Sequence, residues 1–99
     1  MSANTLREII ENRLKIALTP VALEVLDESA AHHGHAGSQG GGQHFAVTLT
    51  AAAFAGLSPV KRHQLVYAAL GDLMREQHAL DHPALGYLHA LKLQLHSVG

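Results

Sequence analysis

The apolar residues at the start of the chain recur with the period of a helix. They follow three- and four-residue spacing up to Pro20, and Thr5 followed by Glu8 has the pattern of a capping box. The members of this apolar stripe are Leu6, Ile9, Ile10, Leu14, Ala17 and Leu18. The pattern predicts a first helix over about residues 5–18.

Two later segments alternate apolar and polar residues with the period of a strand. Residues 21–25 carry valine, leucine and valine at every second position, and residues 45–49 carry phenylalanine, valine and leucine in the same way. Residues 29–43 lie between them and hold five glycines and three histidines. Because irregular segments of this length are uncommon in compact domains, we interpret them as either a functional loop or a flexible one.

The second half of the chain predicts two helices and a third strand. Thr50 is placed to cap a short Ala-rich turn of helix through Phe54, and Ser58 is followed by proline at a first helical position. The apolar stripe that follows predicts a long helix over about residues 59–80, and alternation returns over 87–95. The residues of that stripe are Leu65, Val66, Ala69, Leu70, Leu73, Met74 and Leu80.

The order helix, strand, strand, short helix, long helix, strand predicts an α+β fold. We expect a three-stranded mixed sheet with the helices packed on one face. The 99 residues are 47% hydrophobic and 15% charged, which predicts one globular domain over 1–99. Its core would cover about residues 5–95, with 29–43 as a flexible loop. The sequence has neither the pattern of a signal peptide nor an apolar run of membrane-spanning length, so we expect a cytoplasmic protein without membrane contact.

Histidine and cysteine usage restricts the chemistry further. The chain has nine histidines and no cysteine, which excludes a disulfide framework, a thiolate nucleophile and a cysteine-based metal site supplied by this chain alone. The formal net charge of −1 differs from the cationic excess usual in strong nucleic-acid binders. The sequence contains neither a His-Glu-x-x-His motif nor a nucleophile elbow, so we do not expect an enzyme.

A set of short motifs spread over most of the chain resembles the BolA family. In the family's order they are residues 23–29, His32, Gly34-His35, residues 42–45, 54–57, 62–67 and 88–91. The resemblance covers about residues 6–93 and implies a fold like the type II KH domain. It also implies a role in iron–sulfur metabolism beside a monothiol glutaredoxin, with a transcription-regulator role in some members. The family's Thr-Pro and acidic-Trp ending is absent from residues 95–99.

The resemblance implies that histidines of this chain bind a [2Fe–2S] cluster. His32 matches the family's loop ligand, and His33 and His35 in the same segment are alternative ligands. The second ligand matches either His89 or His78, because His-Ala-Leu occurs twice. We favour His89, which an alternating strand follows, and interpret residues 76–86 as an insertion.

The nitrogen-only ligand set of this chain is compatible with such a cluster. Imidazole replaces thiolate on one iron of Rieske centres, and the resemblance implies that the glutaredoxin and its glutathione supply the sulfur. We therefore expect a cluster shared with a partner and no intrinsic cofactor in the isolated protein. For His32 and His89 to meet, the third strand must run parallel to the second.

Other candidate contacts lie near the start of the long helix. The resemblance implies a partner-contact face at Arg62, His63 and Tyr67. Lys61 with Arg62 would contact DNA if the helical pair acted as a helix-turn-helix. The loop's Gly-x-x-Gly string lies between strands, so binding of nucleic acid in the usual KH manner is not expected. His44 is interpreted as a structural residue, whereas His82 and His96 carry no specific signal. Binding of zinc or nickel by the histidine loop is a third possibility, and we expect a monomer or a weak homodimer.

Overall fold

The first helix begins and ends where the sequence predicts. The computed structural model describes residues 5–29 and 42–98, and α1 covers Leu6–Leu18. Thr5 is its N-cap, and the hydroxyl oxygen accepts a hydrogen bond of 3.2 Å from the backbone N–H of Glu8. The helix ends at Thr19, whose φ of 45° lies in the left-handed region. The four side chains that it buries are Leu6, Ile10, Leu14 and Leu18.

Three strands form one mixed sheet, in which the second strand of the chain lies between the first and the third. Strand β1 covers Ala22–Asp27, β2 covers Gly42–Ala51 and β3 covers Tyr87–Ser97. Strand β1 is antiparallel to β2, whereas β3 runs parallel to β2. The predicted parallel pairing is therefore confirmed. Because β2 begins at Gly42, two residues expected in the loop belong to the sheet, and most of that loop lies outside the described residues.

The predicted short turn of helix after β2 is present, but its predicted cap at Thr50 is wrong. Only one 3₁₀ turn forms there, over Ala52–Phe54, and its N-cap Ala51 provides no side-chain hydrogen bond. Thr50 does not cap it, because the backbone of Thr50 pairs with Ala22 in β1 and with His96 in β3. The sheet therefore extends to the positions that were expected to begin a helix. The first element of the helix-turn-helix interpretation is therefore a single 3₁₀ turn and not an α-helix.

The predicted long helix is also wrong, because it is divided into three pieces. Helix α2 covers Pro59–Leu70, a 3₁₀ turn covers Gly71–Met74, and α3 covers Glu76–Asp81. Its predicted start is confirmed, since the Ser58 hydroxyl accepts a 3.2 Å hydrogen bond from the N–H of Lys61. Gly71 has low helix propensity, and Arg75 has the extended values φ −88° and ψ 137°. Leu80 lies beyond this interruption and is 72% exposed.

One face of the sheet packs against the helices and forms the core, as predicted. Alternate residues of β2 are buried there, while Glu24, Thr48 and Lys92 lie on the opposite face, which the described helices do not cover. The buried core residues from the strands are Val25, Phe45, Val47, Leu49, Ala51 and Leu88, and those from the second helical region are Phe54, Val66, Leu70 and Leu73. Among residues 5–29 and 42–98, no helix has the length and apolar character needed to cross a bilayer.

Candidate metal-binding site

A β-bulge near the start of β3 determines where His89 lies. Gln43 of β2 pairs with Leu88, but the next residue, His44, pairs with Ala90, so His89 is an extra residue in β3. Strict alternation would place His89 on the same face as Leu91, which packs against the core. The bulge instead leaves the His89 side chain exposed.

Two aromatic side chains surround the His89 ring. The rings of His89 and His44 lie 5.3 Å apart with an interplanar angle of 65°. The Tyr87 hydroxyl oxygen is 3.1 Å from His89 Nδ1, and the two rings meet edge to face. When Nδ1–H donates to the tyrosine oxygen, the neutral ring has its lone pair on Nε2. This arrangement is typical of a metal-ligating histidine, whose second nitrogen is held by a neighbouring group.

Backbone hydrogen bonds fix the end of β1 beside His44. The backbone N–H of Glu28 donates to the carbonyl oxygen of His44 at 2.8 Å, and the Ser29 hydroxyl accepts from the His44 N–H at 3.1 Å. The interpretation of His44 as a structural residue agrees with these contacts, although its ring contact with His89 was not foreseen. Segment 30–41 therefore follows directly after Ser29, which is hydrogen-bonded to His44. The predicted loop ligands His32, His33 and His35 lie outside the described residues.

His78, the alternative second ligand, lies on α3 and not on a strand. Its Nδ1 is 2.6 Å from the carbonyl oxygen of Gly86, and its ring lies 4.7 Å from the ring of His82. His89, by contrast, lies at the start of β3 and contacts His44. Within the described part of the chain, no three histidine, aspartate or glutamate side chains converge to hold a metal ion. A metal bound at His89 would therefore need ligands from segment 30–41 or from a partner.

The candidate contact residues of α2 differ in how they are engaged. Arg62 Nε donates to the carbonyl oxygen of Leu57 at 3.1 Å, and a terminal nitrogen donates to that of Leu95 at 3.3 Å. Arg62 thus connects α2 to β3, which the sequence did not indicate. His63 Nδ1 lies 2.7 Å from the carbonyl oxygen of Pro59. Lys61 and Tyr67 are exposed.

The α+β fold with its mixed sheet agrees with comparisons to known proteins. A profile of BolA-like proteins matches residues 14–98, so the chain belongs to the BolA-like family. It is 42% identical over 76 residues to the "DNA-binding transcriptional regulator BolA" of Escherichia coli, covering 76% of this chain and 70% of that protein. It is 39% identical over 85 residues to human "BolA-like protein 1", covering 86% of this chain and 53% of that protein.

Solved structures give the same family assignment. BolA1 from Arabidopsis thaliana is similar with a TM-score of 0.70 and 32% identity, covering 97% of this chain and 95% of that one. The BolA domain of SufE1 from the same plant has a TM-score of 0.67 and 36% identity, covering 92% and 90%. The E. coli and human relatives are named as a regulator and as a BolA-like protein, not as enzymes. The chain spans only about half the length of the human relative.

Proposed function

We propose that this protein acts in iron–sulfur metabolism, where it binds or transfers a [2Fe–2S] cluster together with a monothiol glutaredoxin and its glutathione. His89 is the proposed ligand from β3, and His32 is the proposed ligand from segment 30–41. The partner supplies the sulfur ligands, because this chain has no cysteine. The site is shared, and we propose that the isolated protein carries no cluster of its own.

The observation that carries the proposal is the exposed position of His89 at the bulge. Parallel pairing places the start of β3 beside the start of β2, and Ser29 is hydrogen-bonded to His44 at this same end. His32 follows Ser29 by three residues, a length of chain that spans at most about 10 Å. Connectivity alone therefore keeps His32 within reach of the end of the sheet that carries His89.

The residues at this end suit the donor set of such a cluster. His89 offers Nε2 when its Nδ1–H donates to Tyr87, and imidazole nitrogen is an accepted ligand of a [2Fe–2S] iron. His44 contacts the His89 ring and so restricts its orientation. The exposure of His89 leaves the ring accessible to a partner protein that brings the cluster.

The test is a titration of the cluster-free protein into a monothiol glutaredoxin loaded with its cluster, followed by visible absorption and circular dichroism. The wild-type protein is expected to change the spectrum, because nitrogen replaces other ligands at one iron. The His32→Ala/His89→Ala double variant is expected to lose this change. His96→Ala is the matched control, since His96 is exposed on the same strand and should leave the change intact.

Further variants decide which second ligand is used and whether the proposal fails. We expect His78→Ala to behave like the wild type; loss of the spectral change in that variant alone would assign the second ligand to His78 and not His89. An unchanged spectrum with the wild-type protein would contradict the proposal. A spectral change in the His32→Ala/His89→Ala variant as large as that of the wild type would also contradict the proposal.

DNA binding is the alternative function, and the similarity to the E. coli protein named as a DNA-binding transcriptional regulator favours it. Lys61 is exposed on α2, but the Arg62 guanidinium donates to two backbone carbonyl groups. A contact through these residues would lose affinity steeply with salt. A mobility-shift assay at low ionic strength tests this alternative, and the absence of a shift with any duplex would exclude it.

A further inference from the structure

His78 of α3 and His82, the C-cap residue of the same helix, form a pair. The helical hydrogen-bond pattern extends through His82, whose backbone N–H donates to the carbonyl oxygen of His78 at 2.8 Å. Residues four apart in a helix lie on the same face, one turn from each other. The two imidazole rings are accordingly 4.7 Å apart, with an interplanar angle of 38°.

The hydrogen bond made by His78 fixes which of its nitrogens can bind a metal. Nδ1 lies 2.6 Å from the carbonyl oxygen of Gly86, and a carbonyl oxygen can only accept. Nδ1 therefore carries the proton and donates it, so the neutral ring has its lone pair on Nε2. A backbone carbonyl behind the imidazole is a common arrangement in metal sites, where it fixes the tautomer and the orientation of the ligand.

The separation of the two rings suits a single ion bound between them. An ion about 2.1 Å from one nitrogen of each ring would lie roughly 3.2 Å from each ring centroid. The 4.7 Å separation then corresponds to an angle of about 95° at the metal, close to that of two neighbouring ligands in an octahedral or tetragonal complex. Tetrahedral zinc would require a somewhat wider separation.

The surroundings of the pair contain carboxylates. Both rings line a surface depression together with Asp72, Arg75, Gln77 and Asp81. One carboxylate oxygen of Asp81 accepts a hydrogen bond of 2.9 Å from Gln77 Nε2, which orients this side chain next to the pair. Arg13 forms an ion pair with the carboxylate of Asp72. Asp81 is the other carboxylate of the depression, and it forms no ion pair within the described residues.

We propose that His78 and His82 form a second metal site, which binds a divalent late transition ion such as Cu²⁺ or Ni²⁺ through two imidazole nitrogens. Water completes the coordination, because no third histidine or carboxylate converges on the pair in the part of the chain that the structure describes. The site is independent of His89 and needs no partner protein. The usual order of affinities for nitrogen ligands predicts tighter binding of Cu²⁺ than of Ni²⁺ or Zn²⁺.

The experiment uses the full chain carrying His32→Ala/His33→Ala/His35→Ala, so that binding by the loop histidines is removed. Calorimetric titration with Ni²⁺ is expected to show one ion per chain. The electron paramagnetic resonance spectrum with one equivalent of Cu²⁺ is expected to show two nitrogen ligands. Adding His82→Ala should weaken Ni²⁺ binding by about tenfold or more, since the two imidazoles act as a chelate, and should leave one nitrogen on Cu²⁺.

His63→Ala in the same background is the matched control. His63 also lies on a helix with Nδ1 against a backbone carbonyl oxygen, but its neighbours four residues away are Pro59 and Tyr67. This variant should bind Ni²⁺ as tightly as the background. His82→Ala is preferred to His78→Ala as the decisive change, because His78 also holds Gly86 through its side chain.

Two results would overturn the second site. One is an absence of Ni²⁺ and Cu²⁺ binding once the loop histidines are replaced, which would place all binding in the loop. The other is an affinity and a nitrogen count that His82→Ala leaves unchanged. Supporting results in this assay do not depend on the cluster proposal, and His82→Ala should leave the glutaredoxin titration unaltered.

Discussion

At the scale of single residues, the Tyr87 hydroxyl holds the His89 ring through Nδ1. The hydroxyl oxygen lies 3.1 Å from Nδ1, and Tyr87 itself is only 7% exposed, so this contact is held by packing. Tyr87→Phe removes the hydroxyl that contacts Nδ1 while keeping the aromatic ring. We expect cluster affinity in the glutaredoxin titration to fall by about 10- to 100-fold, the usual cost of losing a group that orients a metal ligand.

A second measurement separates positioning of His89 from a general effect on folding. Nitrogen-15 NMR of the His89 ring in the cluster-free protein reports which nitrogen carries the proton. Tyr87→Phe should shift this equilibrium away from Nδ1–H, because that form loses its acceptor. Weaker cluster binding with an unaltered tautomer equilibrium would contradict the assigned role of Tyr87.

The sequence could predict His89 as a candidate but not the way in which it becomes exposed. The motif and the strand after it identify the residue, whereas the bulge depends on the register between β2 and β3. A strict period of two would turn His89 toward the core. Arg62 is a similar case, since the carbonyl group of Leu95 that it contacts lies 33 positions away in the chain.

At the scale of elements, Gly71 marks the point where α2 changes into a 3₁₀ turn. Its φ of −55° and ψ of −40° are allowed for any residue, and an added methyl group would meet nothing within 4 Å. Gly71→Ala should therefore raise the free energy of unfolding by about 0.5–1 kcal/mol, chiefly by restricting the unfolded chain. Urea denaturation measures the change.

Gly56→Ala is the control for this prediction. Gly56 also has open space around the position of a Cβ atom, but its φ is +76°. Alanine at this φ is strained, so the free energy of unfolding should fall by about 1–2 kcal/mol. Equal effects of the two substitutions would show that backbone conformation is not what distinguishes these glycines.

The helical region shows where the apolar pattern alone is insufficient. Leu65 to Met74 fit the period of one helix, yet a 3₁₀ turn also brings Leu73 into the core, where it is fully buried. The apolar pattern is therefore compatible with both an α-helix and a 3₁₀ turn. Gly71 and the extended backbone of Arg75 determine which of the two forms. The strands were easier to predict, because alternation with one buried face has no helical alternative.

At the scale of the whole molecule, the order of elements and the mixed sheet followed from the sequence. The crossover through α2 and α3 brings β3 back parallel to β2, and the helices cover one face of the sheet. Long-range polar contacts could not be predicted from the sequence, because they depend on which elements pack against each other in the folded protein. Arg13 of α1 forms a paired contact with the carboxylate of Asp72, 59 positions away, and so connects the first helix to the turn after α2.

The Arg13–Asp72 pair predicts how stability depends on pH. The hydrogen bonds from Arg13, followed by its charge, hold the pKa of the Asp72 carboxyl below its ordinary value, although burial acts in the opposite direction. A carboxyl whose pKa is lowered by folding stabilises the protein fully at a pH above the pKa of the unfolded state, about 3.9. This contribution is lost as the pH falls through the lower pKa of the folded state. Because the Asp72 side chain is 57% exposed, solvent screens the pair.

Asp72→Asn should therefore lower the free energy of unfolding by about 0.5–1 kcal/mol at neutral pH, and by progressively less below about pH 4. Chemical denaturation of both proteins across this pH range measures the difference, which should also shrink at high salt. Glu11→Gln is the control, since Glu11 pairs with Arg7 at 3.6 Å and both residues belong to α1. Glu11→Gln should lower the free energy of unfolding at neutral pH by less than Asp72→Asn does. The free energies of unfolding of wild type and Asp72→Asn could instead differ by the same amount at every pH. That result would show that the carboxylate charge does not contribute to holding α1 against the turn.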